Sequence, residues 1–502
     1  MFNYSDFDYE TENYYTKFIV EKSIDYKVKV NGIDVPVYTC NISKAPFNTC
    51  WPGHQRPYNQ SEKASYINLI SDEELFIEVT VLKRNYKKAF IKPYSKKIEV
   101  KNENKNISFR LKENGGYILC LDDNHNFLYI FNNREFKCEN KDNITYYFKK
   151  GVHHQGKITL KSNESVYIEK DAIVYGSIFS ENSDNLHIYG NGILDSSSEE
   201  RFSNYCYDPY PVGNLRLYDC NNIKVQGLGF SNAATWCVGF FGCSNVEVDN
   251  INVFGQWKYN TDGVDFVNSS NCVLKNSLVH SFDDSLVVKG LGRFNQRNSE
   301  NILFENNVLI CDWGRALKLG TELECFEVKN ISFINSDVIR GDDSCLDIQD
   351  NGSAHVHDIL FDNIRLELDS FYTPEEYQEN DDMKYSLSNE ICKTRLLQIC
   401  NLPYRRRFDY ADIKKCPDFD FNLNKDFGHV HDIKVNNINI YADNKYLDTY
   451  NPVSISLTNY IDDTRIHDIY VSNIYVNNKK IDSKDFEINL NNVSKNEIHF
   501  EK

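Results

Sequence analysis

Hydrophobic and polar residues alternate along short runs in the first 145 residues, and this period of two is typical of half-buried β-strands. Such runs span residues 26–40, 75–83, 96–102, 107–123 and 126–133. Turns at Asn31-Gly32 and Asn114-Gly115-Gly116 predict hairpins between antiparallel strands. Strands with one buried face pack as two sheets, so residues 1–145 are predicted to form an N-terminal β-sandwich domain.

A different pattern begins at about residue 146. A short motif, in which Ile, Val or Phe alternates with polar residues between Asn or Asp corners, recurs at 221–227, 244–250, 271–277, 301–307, 330–336, 357–363, 431–437 and 467–473. Between residues 222 and 358 it returns every 23 to 30 residues, which indicates a solenoid with one coil per repeat. The chain is therefore predicted to be all-β, with a right-handed parallel β-helix over residues 146–502. The consensus leucines of a leucine-rich repeat are missing, and a β-propeller would need antiparallel blades.

The repeat is interrupted at about residues 367–430. This insertion contains a charged stretch, a short possible helix at 390–400 and a basic run at 404–407. Insertions in solenoids form loops, often on the binding face, so a lid over a cleft and a solvated surface loop both stay open. Residues 51–57 of the first domain could close one end of a cleft or cap the helix, and capping is favoured because solenoid ends need it.

Composition narrows the classes of function and location. A formal net charge of −17 argues against a nucleic-acid partner, because such binding depends on Lys and Arg neutralising phosphates. No run approaches the roughly 18 apolar residues of a membrane span. The 15 cysteines lack Cys-x-x-Cys pairs and are expected to be free thiols. With no apolar leader visible, a cytoplasmic location is expected, and secretion is the alternative if a leader has been removed.

Three aspartates carry the predicted chemistry. Asp262, in Asn-Thr-Asp-Gly, and Asp284 are 22 residues apart, close to one coil, so they should be neighbours on one face. Asp283 directly precedes Asp284, and both can face one cleft only if the backbone kinks there. Taken separately, the first motif could be an ordinary turn and the second a solvated pair.

A cluster of three carboxyl groups is costly because the charges repel one another, and at least one group should hold a proton near neutral pH. Such clusters occur where a cation binds or where acid–base catalysis takes place. In glycoside hydrolysis one carboxylic acid protonates the leaving oxygen while another carboxylate activates water. A separation of about 6.5–9.5 Å between acid and base would indicate inversion.

The segment 232–290 resembles the polygalacturonases and their relatives, glycoside hydrolase family 28. The matching residues are Asn232, Trp236, Asn260-Thr261-Asp262-Gly263, Asp283-Asp284 and Lys289-Gly290. The resemblance implies that Asp283 is the proton donor, that Asp262 and Asp284 hold the attacking water, and that the reaction inverts configuration without a metal or other cofactor. It extends over roughly residues 150–480. The order of a sandwich before a β-helix also resembles family 49, the dextranases and isopullulanases of the same clan.

Two departures from family 28 bear on the substrate. Arg315 stands where the family has the histidine of Gly-His-Gly, and an arginine cannot shuttle protons at neutral pH. The family's Arg-Ile-Lys, which grips the uronate carboxylate, is replaced by Asp347-Ile348-Gln349. Both changes weaken the case for polygalacturonate.

Other cations near the expected cleft could replace the missing grip. They are Lys289, Arg293, Arg297, Arg315 and Lys318, of which Lys289 and Arg315 are favoured by coil register. Trp257 and Trp313 are candidate platforms for sugar rings, or else they pack within the coils. The predicted substrate-binding residues are thus Asn260, Lys289, Arg315, Lys318, Trp257 and Trp313.

Several functions remain open at this stage. The favoured one is a polygalacturonase-like hydrolase of an α-glycosidic bond in an oligo- or polysaccharide, and the family 49 resemblance keeps neutral α-glucans as an alternative substrate. A polysaccharide lyase of the same architecture would instead use Ca²⁺ held by the aspartates and a Lys or Arg base. A non-catalytic carbohydrate-binding β-helix is the third possibility. No nucleic acid or membrane partner is expected.

Overall fold

The computed structural model describes residues 2–7, 20–44, 58–199, 213–294, 297–352, 354–368, 376–377, 386–387, 394–401, 428–459 and 465–501. Strands dominate these residues, and the single α-helix among them is α1, Asn444–Thr449. Within this part of the chain no helix has the length and hydrophobicity of a membrane span. The described cysteines are free thiols, as expected, and nearly all are buried.

The N-terminal part forms two sheets. Its strands are β1 (Asn3–Tyr4), β2 (Tyr26–Val30), β3 (Ile33–Val35), β4 (Tyr38–Ser43), β5 (Ser61–Ile70), β6 (Leu75–Val81), β7 (Ala89–Lys92), β8 (Lys101–Glu103), β9 (Asn106–Leu111), β10 (Gly115–Leu121) and β11 (Asp123–Asn133). One sheet has the order β1-β5-β11-β10-β7, with β4 also on β5, and the other has the order β3-β2-β6-β9-β8. Alternate residues of both sheets, such as Val28 and Leu119, share one core, which is the buried face that the alternation predicted.

Only one of the two hairpins predicted for this part is present in the structure. Asn31 and Gly32 have φ values of 50° and 80° and join β2 to β3 in the predicted hairpin. The turn at Asn114 is different, because β9 and β10 belong to opposite sheets and the chain crosses over there. The prediction of a hairpin at Asn114 was wrong, and so was that of purely antiparallel strands, since β11 pairs parallel with β5.

The remaining strands, apart from β36, β37 and β42, wind into one continuous parallel sheet. They begin with β12 (Tyr146–Phe148), β13 (Gly151–Leu160), β14 (Ser165–Ile168), β15 (Ala172–Glu181), β16 (Asp184–Gly190), β17 (Ile193–Asp195), β18 (Leu215–Tyr218), β19 (Asn221–Gln226), β20 (Gly229–Ser231), β21 (Val238–Phe241), β22 (Ser244–Asp249), β23 (Asn252–Phe254), β24 (Val264–Val267), β25 (Ser270–Lys275), β26 (Leu278–Ser281) and β27 (Leu286–Gly290). They continue with β28 (Ser299–Glu305), β29 (Val308–Cys311), β30 (Leu317–Leu323), β31 (Glu327–Ile334), β32 (Asp337–Arg340), β33 (Ser344–Asp350), β34 (His355–Asp362), β35 (Arg365–Leu368), β36 (Glu376–Tyr377), β37 (Ser386–Leu387), β38 (Arg395–Asn401), β39 (Ile433–Ala442), β40 (Ser454–Asn459), β41 (Ile469–Val476), β42 (Lys479–Lys480), β43 (Glu487–Asn491) and β44 (Ile498–Phe500). Only β36 and β37 form a separate sheet, and short β42 pairs antiparallel with β41.

From β15 to β35 each strand pairs with the strand three places later, so every coil there contributes one strand to each of three faces. The site face consists of β18, β21, β24, β27, β30, β33, β38, β40 and β43. This winding is the predicted right-handed parallel β-helix, and that prediction is confirmed. Most of the predicted insertion lies outside the described residues, including the basic run at 404–407, as does the loop at 51–57. The possible helix at 390–400 was a wrong prediction, because Arg395–Asn401 is a strand of the site face.

The corners explain why the motif recurs. Asparagines such as Asn271 and Asn301 have φ near 55°, a left-handed conformation that Asn tolerates better than most residues. Their side chains also bond from coil to coil, with Asn301 Nδ2 3.1 Å from Asn271 Oδ1. Inside the helix, Phe304, Phe333 and Phe361 stack at 4.7 and 5.2 Å between ring centres. Each such buried ring contributes roughly 1.5–3 kcal/mol, so the repeat specifies both corner and core.

The N-terminal sheet that contains β5 and β11 packs on a second face of the helix, next to the site. Tyr66 and Phe131 contact Phe254, with ring centres 5.1 Å apart in both pairs. A buried ion pair, Lys92 Nζ to Glu367 Oε2 at 3.1 Å, also joins the two parts. These contacts fix the N-terminal part beside the turns that carry the aspartates.

Candidate active site

The three aspartates lie in turns that enter the site face. Asp262 precedes β24, and Asp283 and Asp284 lie in a bend between β26 and β27. The Gly263 N–H donates to the Asp284 carbonyl at 2.8 Å, which makes Asp262 and Asp284 neighbours on adjacent coils. The bend supplies the kink that the adjacent pair requires.

Gly314 allows the next coil to approach the Asp283-Asp284 pair closely. A Cβ atom on Gly314 would lie 2.3 Å from the backbone N of Asp284 and 2.8 Å from Asp283 Oδ1, distances that real Cβ atoms do not show. The absence of a side chain therefore lets the turn with Trp313 and Arg315 pack directly on the aspartate pair.

Asp283 is half-buried, whereas Asp262 and Asp284 are almost fully buried. Asn260 Nδ2 lies 3.3 Å from Asp283 Oδ2, and the Asp284 N–H donates to Asp283 Oδ1 at 2.9 Å. Burial and then the charge of Asp284 raise the pKa of Asp283 to about 6, against the opposing effect of Lys318. Asp283 is thus the partly exposed member of the group and holds its proton at mildly acidic pH.

Asp262 is paired with a buried lysine. Lys289 Nζ lies 2.9 Å from Asp262 Oδ2 and 3.6 Å from the centre of the Trp236 ring. Burial raises the pKa of Asp262 and the Lys289 charge opposes that rise. For Lys289, burial is outweighed by the charges of Asp262 and Glu322, which raise its pKa well above the usual value. Lys289 therefore supports a carboxylate from beneath and is too buried to reach a substrate.

Asp284 is held from two sides. Lys318 Nζ lies 3.2 Å from its Oδ2, and the backbone N–H of Arg315 donates to its Oδ1 at 2.8 Å. The contact of Arg315 with Asp284 is thus made by the backbone. Its guanidinium turns to the following coil, where it pairs with Asp343 and lies 3.3 Å from Asp347 Oδ2.

The other predicted binding residues differ in position. Trp313 is half-buried and stacks on Phe282 with 5.6 Å between ring centres, so it remains a candidate platform for a sugar ring. Trp257 is only 6% exposed and meets Tyr58 of the N-terminal part edge-on at 5.8 Å, which favours packing over a sugar platform.

Arg297 does not lie near the aspartates. It pairs with Asp219 and with the Gly242 carbonyl at a corner on the far side of the site face, because its segment leads away from β27. The expectation that it lies near the cleft was wrong. The side chain of Arg293 lies outside the described residues.

Asp265 also lies in the site, although it is not among the site residues predicted from the sequence. It is fully buried, lies 3.5 Å from Lys289 Nζ, and neither of its carboxylate oxygens accepts a hydrogen bond from another described residue. Burial raises its pKa to about 7, opposed by Lys289. Strand alternation contained the signal, since Val264 and Phe266 point into the core and Asp265 between them must point outward.

Comparison with known proteins places this geometry in a family context. Residues 139–374 match the sequence model of Glycosyl hydrolases family 28. The resemblance read from the Asn-Thr-Asp-Gly and Asp-Asp motifs is thereby confirmed, and the matched segment contains all three aspartates.

Relatives with known activities cover only part of this chain. An exopolygalacturonase of Cochliobolus carbonum is 30% identical over 204 residues, 36% of this chain and 44% of its own. A polygalacturonase of Malus domestica is 26% identical over 224 residues, 41% of this chain and 45% of its own. The chain thus spans less than half the length of these relatives.

A solved structure matches nearly the whole molecule. Dex49A from Penicillium minioluteum superposes with a TM-score of 0.64 over 98% of this chain and 97% of its own, at 13% sequence identity. This likeness concerns the fold. It includes the N-terminal part, which the family 28 match does not reach.

We predict that Lys289→Met lowers the free energy of unfolding by about 3–5 kcal/mol, because it leaves buried Asp262 and Asp265 without their ammonium partner. Urea titration followed by tryptophan fluorescence measures the change. Lys484→Met is the control, because Lys484 is 77% exposed and its ion pair with Asp482 is long, at 3.8 Å. This variant should alter the free energy of unfolding by less than about 1 kcal/mol. A similarly small loss for Lys289→Met would contradict the assignment of this ion pair.

Proposed function

We propose that the protein is an inverting glycoside hydrolase that cleaves an α-glycosidic bond in an oligo- or polysaccharide. The observation that carries this proposal is that the three aspartates differ in their exposure and in their cationic partners. Asp283 is half-buried with a pKa of about 6, while Asp262 and Asp284 each have a lysine at hydrogen-bonding distance. The partly exposed Asp283 is thus placed to donate a proton, and the two carboxyl groups with lysine partners are placed to hold the attacking water.

The reaction follows from these positions. Asp283 transfers its proton to the glycosidic oxygen as the bond from that oxygen to the anomeric carbon breaks. A water held by Asp262 and Asp284 attacks the anomeric carbon from the opposite side and gives its proton to one of these carboxylates. The products are two saturated sugars with inverted configuration at the new reducing end. The proton taken from water restores the charge balance of the site.

The polysaccharide lyase is less well supported. A lyase of this kind would hold Ca²⁺ between the aspartates, and calcium prefers six to eight oxygen ligands. Here the ammonium groups of Lys289 and Lys318 already neutralise Asp262 and Asp284 at 2.9 and 3.2 Å. These lysines perform the electrostatic task that the cation would have.

Replacing the proposed acid tests the assignment. We expect Asp283→Asn to reduce kcat by at least about 10²–10⁴-fold, because the amide cannot donate the proton that the leaving oxygen needs. Reducing-sugar release measures turnover, and circular dichroism and the melting temperature report whether the fold is intact. The control is Asp358→Asn, at an exposed corner, which should keep normal turnover. Near-normal activity of Asp283→Asn would refute the assignment of the acid.

The pKa of Asp283 predicts the alkaline side of the pH profile. The acid must be protonated in the free enzyme, so kcat/KM should fall as pH rises through about 6, approaching tenfold per unit at higher pH. Initial rates at low substrate concentration between pH 4 and 9 measure this limb. A rate that stays constant or rises between pH 6 and 8 would show that another group donates the proton.

A further inference from the structure

A network of buried polar side chains crosses the boundary between the N-terminal part and the β-helix. The Tyr129 hydroxyl, on β11, is hydrogen-bonded to His280 Nδ1, on β26. His280 Nε2 lies 3.0 Å from Asp312 Oδ2, and Arg340 Nη1 lies 2.7 Å from Asp312 Oδ1. All four side chains are buried, among the apolar residues that join the two parts. Polar groups cost free energy in such surroundings unless they are paired, so each member of this network depends on its partner.

The partners of His280 determine which ring nitrogen carries the proton. The Asp312 carboxylate can only accept, so the proton is on Nε2, which faces it. Nδ1 is then the acceptor, and the Tyr129 hydroxyl donates to it. Within the described part of the chain, this is the one hydrogen bond that Nδ1 makes. The N-terminal part therefore supplies one end of the network, and Arg340 of the β-helix supplies the other.

The neighbours of this network in the chain hold the backbone of the proposed acid. Ser281, which follows His280, donates from Oγ to the Asp283 carbonyl at 2.5 Å. Cys311, which precedes Asp312, donates from Sγ to the same carbonyl at 3.2 Å. Two members of the network are thus one residue away from the groups that fix Asp283.

Backbone hydrogen bonds join the same two turns to each other. The Asp312 N–H donates to the Ser281 carbonyl at 3.1 Å, and the Trp313 N–H donates to the Phe282 carbonyl at 2.8 Å. A shift of Asp312 is therefore passed directly to the turn that carries Asp283. Displacing a reacting group by about 1 Å costs roughly hundredfold in rate, so a small shift here is enough to matter.

We infer that Tyr129 and His280 are positioning residues, through which the N-terminal part holds the turn that presents Asp283. Both side chains are fully buried, so neither touches the substrate. Tyr129 precedes residues 139–374, the segment that matches family 28, so this contact comes from outside the family match. The inference rests on the proposed function for the role of Asp283.

Tyr129→Phe tests the inference, because it removes the hydroxyl and keeps the ring that packs on Phe127 and Phe131. The variant leaves the buried Nδ1 of His280 without its donor. We expect kcat to fall at least about tenfold while KM changes less than about twofold, because the acid acts in the transition state and the substrate contacts are unaltered. Initial rates are measured well below the melting temperature, on an α-linked oligosaccharide that the unaltered protein cleaves.

Tyr117→Phe is the matched control. Its hydroxyl donates to the Glu113 carbonyl at 2.9 Å, and its ring lies in the core between the two N-terminal sheets. The substitution removes a hydrogen bond of the same kind at a distance from the turns, so kcat and KM should stay within about twofold of the unaltered values. Unchanged kcat in Tyr129→Phe, or an equal loss in Tyr117→Phe, would overturn the inference.

A double variant tests whether Tyr129 acts through His280. If it does, Tyr129→Phe combined with His280→Gln turns over no more slowly than His280→Gln alone, because the hydroxyl has already lost its partner. A kcat reduced by the product of the two single effects would show that Tyr129 acts by another route.

Hydrogen exchange followed by mass spectrometry gives a readout that does not depend on turnover. In Tyr129→Phe, the amides of Asp312 and Trp313 should exchange about five- to hundredfold faster, whereas those of β28 keep their rates. Unchanged exchange at these two amides, or a uniform increase throughout the β-helix, would contradict a local positioning role.

The two kinds of measurement separate this inference from the proposed function. If the unaltered protein cleaves no α-linked oligosaccharide, the hydrolase proposal fails, and locally faster exchange in Tyr129→Phe would still support the positioning of the turns. If the unaltered protein and Tyr129→Phe cleave such a substrate equally well, the hydrolase stands and the positioning role is refuted.

Discussion

Backbone hydrogen bonding between successive coils is the constraint on which the site depends. The bonds fix strand register, and register decides which turns meet at the edge of the site face. The bond from the Gly263 N–H to the Asp284 carbonyl, 2.8 Å long, makes neighbours of two carboxyl groups that are a full coil apart in sequence. Without the stacked asparagine corners and the phenylalanine core, this register would not be maintained.

The same stacking concentrates acidic groups, and buried lysines counter the resulting repulsion. Lys289 on β27 and Lys318 on β30 reach Asp262 and Asp284, each from the coil after the one that carries its aspartate. Among the described residues no cation is equally close to Asp283, and burial raises its pKa to about 6. The difference between the proposed acid and the proposed bases therefore arises from which coil supplies a lysine beneath each carboxyl group.

The repeat and the alternation made the fold predictable from sequence. Period-two runs at the N-terminus and the recurring Asn-cornered motif depend on local burial, which sequence expresses directly. The crossover at Asn114 and the parallel pairing of β5 with β11 were not predictable, because they depend on which distant strands pair. Residues 395–400 illustrate the same limit, since tertiary pairing makes a strand of a segment that contains good helix formers.

For the site, coil register correctly indicated which aspartates would be neighbours, but it did not indicate the directions of the long side chains. Arg315 contacts Asp284 through its backbone, and its guanidinium turns to Asp343 and Asp347.

The stereochemistry of the product tests the central claim most directly. Proton NMR during the first minutes of hydrolysis of an α-linked oligosaccharide should show the β-anomer as the initial product. An initial α-anomer, or an unsaturated sugar, would contradict the three-aspartate inverting mechanism.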